Sequence, residues 1–572
     1  MLYPQINEKR ELISLSGIWN FLADEAGDGE KQGYMNGLVC PDVMAVPGSI
    51  NEQNSKYFQF HGKGWYERDF FIPKSFEGKR IYIRFGAVSG KTTVFADGEK
   101  IDYHEGGSLP FECDISHLKV GKSHRLTVLT DNTPDPWSLP PAMLLDGEGR
   151  VGFSSQYPAV SYDFFPHSGI HRDVWLCATE KVYIDGITVK TKIDGTVNVA
   201  VELSSDVCGS VNVQSDGVSA SAKVSCGRAE ATIKITSPRL WDIGKPNLYE
   251  VKVTLLADDG KTLDVYNQSY GIREVKVEGE KLMLNDRPIY LKGFGKHEDF
   301  PMYGKGFSAC GWVKDFSLLK WIGANSFRTS HYPYDENVLN MADRQGILVI
   351  GETPLVGLSP RMYNDDVLLR VNKVIKEMIE RDKNHPSVIM WSLANEPGAA
   401  SSGDGFFSSM AKTARECDST RPITYVGHQD PKDNSPMKYF DVVSITRYPG
   451  WYYLFGRTQD AARQLSECLD EFHNMYGKPM LLAEFGADTI AGMHAEPAQM
   501  FSEEYQCEII SALTETVHSK DYMIGEHIWA FADFKANQNY SRVLLNRKGV
   551  FTRERDPKMA AHAIKKIWEE KE

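Results

Sequence analysis

Eight short apolar runs alternate with helix-like stretches over the second half of this 572-residue chain. The runs begin near Ile289, Ala324, Ile347, Val388, Ile423, Val442, Met480 and Met523. Helical stretches over 313–321, 367–381 and 458–475 lie between them, and a last helix spans 560–570. Eight strands in about 290 residues, most of them followed by a helix, match a (β/α)8 TIM barrel, whose usual size is about 250 residues. The barrel is expected over 275–572.

Upstream the grammar is different. Residues 1–178 carry short alternating runs between Gly, Asp and Asn turns, such as 66–72, 81–85 and 93–96 before Asp97-Gly98, with no long helix. That pattern predicts a two-sheet jelly roll. Residues 179–274 repeat it with smaller side chains, at 187–190, 197–201, 231–235 and 249–253, and suit an immunoglobulin-like sandwich of about 100 residues. The expected fold class is therefore multidomain, two β-sandwiches followed by an α/β barrel.

Two of the barrel runs end in glutamate. Val388-Ile389-Met390-Trp391 leads into Ser392-Leu393-Ala394-Asn395-Glu396-Pro397, where the proline stops the strand. The second context is Pro479-Met480-Leu481-Leu482-Ala483-Glu484-Phe485-Gly486. Glu396 and Glu484 are 88 residues apart, about three βα units of roughly 30 residues each. That spacing places them at the ends of strands four and seven, both on the loop-bearing top of the barrel. A pair of carboxyls there points to glycosidic-bond cleavage. Two close carboxylates cannot both ionise cheaply, so one of them is expected to hold a proton.

Asn325-Ser326-Phe327-Arg328-Thr329-Ser330-His331-Tyr332-Pro333, and Arg381-Asp382-Lys383-Asn384-His385-Pro386-Ser387 ahead of the Asn-Glu-Pro, resemble the two signatures of glycoside hydrolase family 2. Glu105-Gly106-Gly107-Ser108-Leu109-Pro110-Phe111 resembles that family's sugar-binding domain, and the resemblance covers the whole chain in the family's domain order. It implies a retaining hydrolase, with carboxyls roughly 5–5.5 Å apart. By position Glu396 would be the general acid/base, holding the proton, and Glu484 the nucleophile. Asn395 would bond the sugar 2-hydroxyl, Tyr448 would steady Glu484, and Arg328 would buttress Glu484 from behind. His331 would bind sugar, and His297 and Glu298, at the end of strand one, are further candidates. No metal or cofactor is called for.

The choice of sugar falls to Ser541-Arg542-Val543-Leu544-Leu545-Asn546-Arg547-Lys548-Gly549. This segment resembles the Asn-x-Lys element of the family's glucuronide-cleaving members. A glucuronide's C6 carboxylate needs a cation and a neutral donor, and Lys548 and Asn546, two apart in a non-helical loop, can supply them. An unmet buried Lys548 would then reject neutral sugars. By the same resemblance Trp529 lies under the sugar, Arg542 near its acid end, and Asp163 reaches from the first domain to a ring hydroxyl. Thr446 and Pro449 stand where these relatives often have Asn and Tyr. The stretch 353–366 is short where some gut bacterial relatives carry a longer lid, which predicts an open aglycone mouth.

The net charge of −13 argues against nucleic acid as a partner, and no apolar run approaches the roughly 20 residues of a membrane span. The first ten residues lack the apolar core of a signal peptide, and the nine cysteines form no C-x-x-C, so a cytoplasmic chain is expected. The resemblance further implies a bacterial enzyme and a homotetramer. Two alternatives stay open: a β-galacturonidase or β-galactosidase of the same family, and a carbohydrate-binding protein on an inactive hydrolase scaffold.

Overall fold

The computed structural model describes residues 1–142, 160, 162–539 and 541–571. A closed barrel of eight parallel strands fills the C-terminal part. The strands are β1 (Leu291–Lys296), β2 (Ser326–Thr329), β3 (Leu348–Glu352), β4 (Val388–Asn395), β5 (Ile423–Gly427), β6 (Val443–Thr446), β7 (Met480–Glu484) and β8 (Met523–Trp529). Each starts within two residues of its expected position. These runs read as continuously apolar because a parallel barrel strand is covered on both faces.

Around the strands lie α1 (Ala309–Ile322), α2 (Glu336–Gln345), α3 (Asp365–Asp382), α4 (Asp404–Cys417), α5 (Thr458–Tyr476), α6 (Glu503–His518) and α7 (Met559–Glu570). A 3-10 segment, Pro431–Tyr439, takes the helix position between β5 and β6. Helix starts are set by side-chain caps: Asp335, Asn364 and Ser502 accept backbone N–H groups of α2, α3 and α6. Helix stops are set by left-handed glycines, Gly323 after α1 and Gly346 after α2.

The first domain is a sandwich of two antiparallel sheets. One has the strand order Glu11–Ser14, Val174–Thr179, Arg80–Phe85, Phe111–Asp114. The other runs Asp42–Val46, Gly17–Ala23, Lys63–Ile72, Lys122–Asp131, Lys91–Ala96, Glu99–Glu105. Trp19, Phe21 and Phe70 from one sheet meet Ile83, Phe85 and Leu176 from the other in a single core. The second sandwich packs three strands against four around Val199, Val213, Val251 and Val253. A small sheet, Val275–Glu278, Lys281–Leu284 and Arg287–Pro288, follows. Its Leu282 and Leu284 share a core with Leu348, Ile389 and Leu481, so it closes the bottom of the barrel.

The first domain is fastened to the barrel by buried charge. Arg84 donates to both oxygens of Glu336, the first residue of α2, at 2.9 and 2.8 Å. Arg172 donates to the carbonyl of Pro333 at 2.6 Å and to Glu298 Oε2 at 3.2 Å. Further along, the Phe165 N–H bonds the Lys535 carbonyl at 3.0 Å, and Tyr162 stacks on Phe164 with centroids 4.2 Å apart. These contacts carry the segment that holds Asp163 onto the top of the barrel.

Candidate active site

The C-terminal ends of six barrel strands deliver the polar groups: Arg328 from β2, Glu352 from β3, Asn395 from β4, Thr446 from β6, Glu484 from β7 and Trp529 from β8. Strand pairing is irregular just beneath both glutamates, between Ser392 and Asn395 on β4 and between Ile445 and Thr446 on β6. Such irregularities re-aim side chains beside active sites. Glu396 follows β4 with φ +45°, a left-handed conformation that a non-glycine residue adopts at some cost in strain. Its N–H still bonds the Val426 carbonyl at 2.8 Å, so its backbone stays tied to β5 at this bend.

Glu396, Glu484, Tyr448, His331, Asn395, Trp529, Asp163 and Arg542 line one cavity of about 1040 Å³. Glu484 is the deeper of the two glutamates, 4% exposed, whereas Glu396 is half-buried. Tyr448 donates to Glu484 Oε2 at 2.7 Å, and Arg328 donates to Glu484 Oε1. Arg328 also serves Glu352 Oε1 and Oε2, both at 2.8 Å, and Asn395 Oδ1 at 3.2 Å. With that oxygen engaged, the amide N–H groups of Asn395 are the ones left to offer a ligand. Thr446 sits opposite Glu484 in the β6–β7 register and donates its hydroxyl to Glu396 Oε1 at 2.6 Å. One threonine therefore ties the Glu396 carboxyl to the strand beside Glu484.

Burial pushes the Glu484 carboxyl above the ordinary range; Arg328 opposes this, the Glu396 charge adds to it, and His331 and Tyr448 pull it back. The push is large because Glu484 is shut away from water. Glu352 goes the other way: burial disfavours its charge, but Arg328, His331 and Ser392 together hold it below the usual range. Tyr448 is driven well above the usual phenol value by burial and by the Glu484 charge, so it remains a donor.

His331 Nδ1 lies 2.8 Å from Glu352 Oε1 and its Nε2 is 3.8 Å from Glu484 Oε1. Its ring stacks on Trp529, centroids 5.1 Å apart and planes 17° apart. His297 and Glu298 follow β1. His297 packs under Phe534 and Trp529 and meets the Tyr332 hydroxyl at 3.1 Å, while Glu298 is spent on Arg172 and the Asp335 N–H.

Two expected contacts are arranged differently. Lys548 was expected to stand unmet without an acidic sugar, but its ammonium is 2.5 Å from Asp488 Oδ2, with both residues almost fully buried. An isolated ammonium at that depth would be costly, and Asp488 removes the cost. Asp163 was expected to wait for a ring hydroxyl. It instead accepts from Arg542 Nε at 3.0 Å and from Asn546 Nδ2 at 2.9 Å. Arg542 also reaches Asp488 Oδ2 at 3.5 Å and Tyr452 Oη at 2.7 Å. The result is an alternating row, Asp163, Arg542, Asp488, Lys548. Lys558 locks it from below by donating to the Arg547 carbonyl at 3.0 Å, the Thr489 carbonyl at 3.1 Å and Asp533 Oδ1 at 2.8 Å.

Sequence reasoning missed Glu352, Asp488 and Lys558. Glu352 ends the apolar run Leu348-Val349-Ile350-Gly351, the same signal that picked out Glu396 and Glu484. Asp488 has no such signal, since it sits in a loop sixty residues before its lysine.

This geometry accords with what the chain is similar to. Residues 12–180 match the sugar binding domain of glycosyl hydrolases family 2, residues 182–273 the family's central domain model, and residues 275–572 its TIM barrel domain. A β-glucuronidase of Paenibacillus borealis is 40% identical over 100% of this chain and 99% of its own length. The human β-glucuronidase is 36% identical over 99% of this chain and 92% of its own. Among solved structures, a Bifidobacterium dentium β-glucuronidase complexed with coumarin-3-O-glucuronide superposes with a TM-score of 0.93 at 35% identity, covering 100% of this chain and 98% of that one. The Ruminococcus gnavus enzyme gives 0.91 at 36% identity, covering 99% of each chain. With family models spanning it in unbroken order from residue 12 to the end, the chain belongs to glycoside hydrolase family 2.

Proposed function

We propose that the chain is a retaining β-glucuronidase, hydrolysing β-D-glucuronides to glucuronic acid and an aglycone alcohol. The observation that carries this reading is the cation pair Arg542 and Lys548: Arg542 lines the cavity that holds both glutamates, and Lys548 is buried behind its aromatic wall. The Lys548 ammonium stands 5.9 Å from the ring of Tyr448, whose hydroxyl meets Glu484. Related structures support it, since the Ruminococcus gnavus enzyme has been solved with D-glucuronic acid and with D-glucaro 1,5-lactone.

In the proposed sequence a Glu484 oxygen attacks C1 of the sugar. The bond to the aglycone oxygen breaks, and that oxygen takes the proton of Glu396. Glu484 attacks as the carboxylate, with Arg328 and Tyr448 each donating to one of its oxygens, and Glu396, the less buried of the two, is the one placed to meet the leaving oxygen. Once Glu484 is esterified its charge is gone. Glu396, now a carboxylate, takes a proton from water as the water attacks C1 and frees Glu484. Asn395 presents its amide to the 2-hydroxyl, Trp529 and His331 form the wall beneath the ring, and Asn546, Lys548 and Arg542 receive the acid end.

We extend the proposal to a reducing compartment, for which all nine cysteines, each unpaired, speak. The homotetramer implied by the resemblance belongs to the proposal too, and sedimentation of the purified chain tests it.

Hydrolysis of p-nitrophenyl β-glucuronide, β-galacturonide and β-galactoside tests the sugar. The glucuronide is expected to lead by a wide margin. Strong galactoside turnover that survives Lys548→Ala would overturn the reading, and a lead for the galacturonide would move it to the C4 epimer.

A further inference from the structure

We propose that Asp488 is a specificity-determining positioning residue, the resident counter-ion that holds Lys548 and Arg542 side by side for the substrate's carboxylate. The proposal rests on the glucuronide reading and assigns part of that selectivity to a residue behind the cavity wall.

Asp488 is 2% exposed. Its Oδ2 takes Lys548 at 2.5 Å and Arg542 at 3.5 Å, and its Oδ1 takes the Arg547 N–H at 2.8 Å. It thus grips both cations and the backbone between Asn546 and Lys548. Burial disfavours charge on Asp488, but Lys548 and Arg542 outweigh it and hold the carboxyl below the usual range. Its two cation partners thus favour the anionic form.

Three physical points turn this contact into selectivity. An ammonium has three N–H donors, and Lys548 spends one, on Asp488, which leaves two for a ligand. Two cations brought together without an anion would repel each other, and a buried lysine without one tends to lose its proton. Finally, Asp163, which lines the cavity, pairs with Arg542 from the other side, so Asp488 is the anion left to answer the Lys548 charge, and its grip fixes where the remaining N–H groups of that ammonium point. A glucoside, which differs from a glucuronide only at C6, makes no use of that charge.

The test compares p-nitrophenyl β-glucuronide with p-nitrophenyl β-glucoside in the wild type, Asp488→Asn, Lys548→Gln and the double variant. Loss of one charge-assisted contact is expected to lower kcat/KM for the glucuronide about 10- to 150-fold in Asp488→Asn, chiefly through KM. Glucoside turnover is expected to change far less than glucuronide turnover. In the Lys548→Gln background the second change is expected to add much less than it costs alone, only its hold on Arg542 being left to lose, because residues that act through one another are not additive. Equal loss on both sugars, full additivity with Lys548→Gln, or a lower glucuronide KM in Asp488→Asn would each overturn the proposal. The last outcome would make Asp488 a competitor of the substrate. If Asp488→Asn does not fold, Asp488→Glu displaces the ammonium while keeping the charge; the same selective loss is expected, and unaltered selectivity overturns the proposal. A wild type without glucuronide preference overturns the functional reading and this one together. Wild-type preference that persists in Asp488→Asn overturns this one alone.

Discussion

The Tyr448 hydroxyl donates to Glu484 Oε2 at 2.7 Å, while Arg328 occupies the other oxygen of the same carboxyl. Burial raises the proton affinity of Glu484, and Tyr448 is one of the groups that oppose the rise. A nucleophile must be ionised, so the acid limb of kcat/KM is expected above the ordinary glutamate value of 4.5. Tyr448→Phe removes one opposing donor, and the carboxyl rises further. The acid limb is then expected to move to higher pH, with kcat lower at every pH. A pH–rate profile checks this; an acid limb that stays in place would contradict it.

Arg328 joins Glu352, Asn395 and Glu484, and it and Glu352 have no exposed surface. Arg328→Ala leaves two buried carboxylates facing each other without a cation. Breaking a buried pair in this way costs about 3–5 kcal/mol. Thermal unfolding of the barrel is expected at a clearly lower temperature, together with loss of hydrolysis. A variant that keeps its melting temperature would show that water or another group takes over the charge.

Proton donation by Glu396 matters most when the leaving group is a poor one. Glu396→Ala is expected to lower turnover of alkyl glucuronides about 10²–10⁴-fold. The loss of glycosyl-enzyme formation on p-nitrophenyl glucuronide should be much smaller, because p-nitrophenolate departs without a proton. Pre-steady-state release of p-nitrophenol separates the two steps. Equal loss with both leaving groups would remove Glu396 from the acid role.

The chain between β3 and α3 turns back onto β4: Val356 bridges Asn395, and the Gly398 N–H meets the Leu358 carbonyl at 2.7 Å. Val356 and Gly357 of this stretch line the cavity with Asn395 and Glu396, and so short a stretch is expected to leave the mouth open. Bulky aryl glucuronides are therefore expected to be cleaved with kcat/KM comparable to small ones. A strong preference for small aryl groups in a substrate series would contradict this.

Much of the architecture was legible in the chain. The barrel strands announced themselves because each is covered on both faces, so that Leu348-Val349-Ile350 or Met480-Leu481-Leu482 can be nothing but apolar. The glutamates stood out as charges closing such runs. What stayed hidden was pairing. Lys548 reads the same in sequence whether it waits for a substrate or sits on Asp488. Asp163 likewise gives no sign that Arg542, 379 residues later, will meet it. Such contacts are settled by how loops converge in space, and no local periodicity records them. Thr446 shows the same limit. It looked like a departure from the family pattern, and its hydroxyl proves to bond Glu396 at 2.6 Å.

The roles of the two glutamates are tested most directly by trapping the glycosyl-enzyme. A 2-deoxy-2-fluoro-β-glucuronyl fluoride slows both steps but retains an excellent leaving group, so the covalent ester accumulates. After proteolysis, mass spectrometry is expected to find one added fluoroglucuronyl group on the peptide containing Glu484 and none on the peptide containing Glu396. A label on Glu396, or complete turnover that leaves no covalent adduct at all, would contradict the assignment.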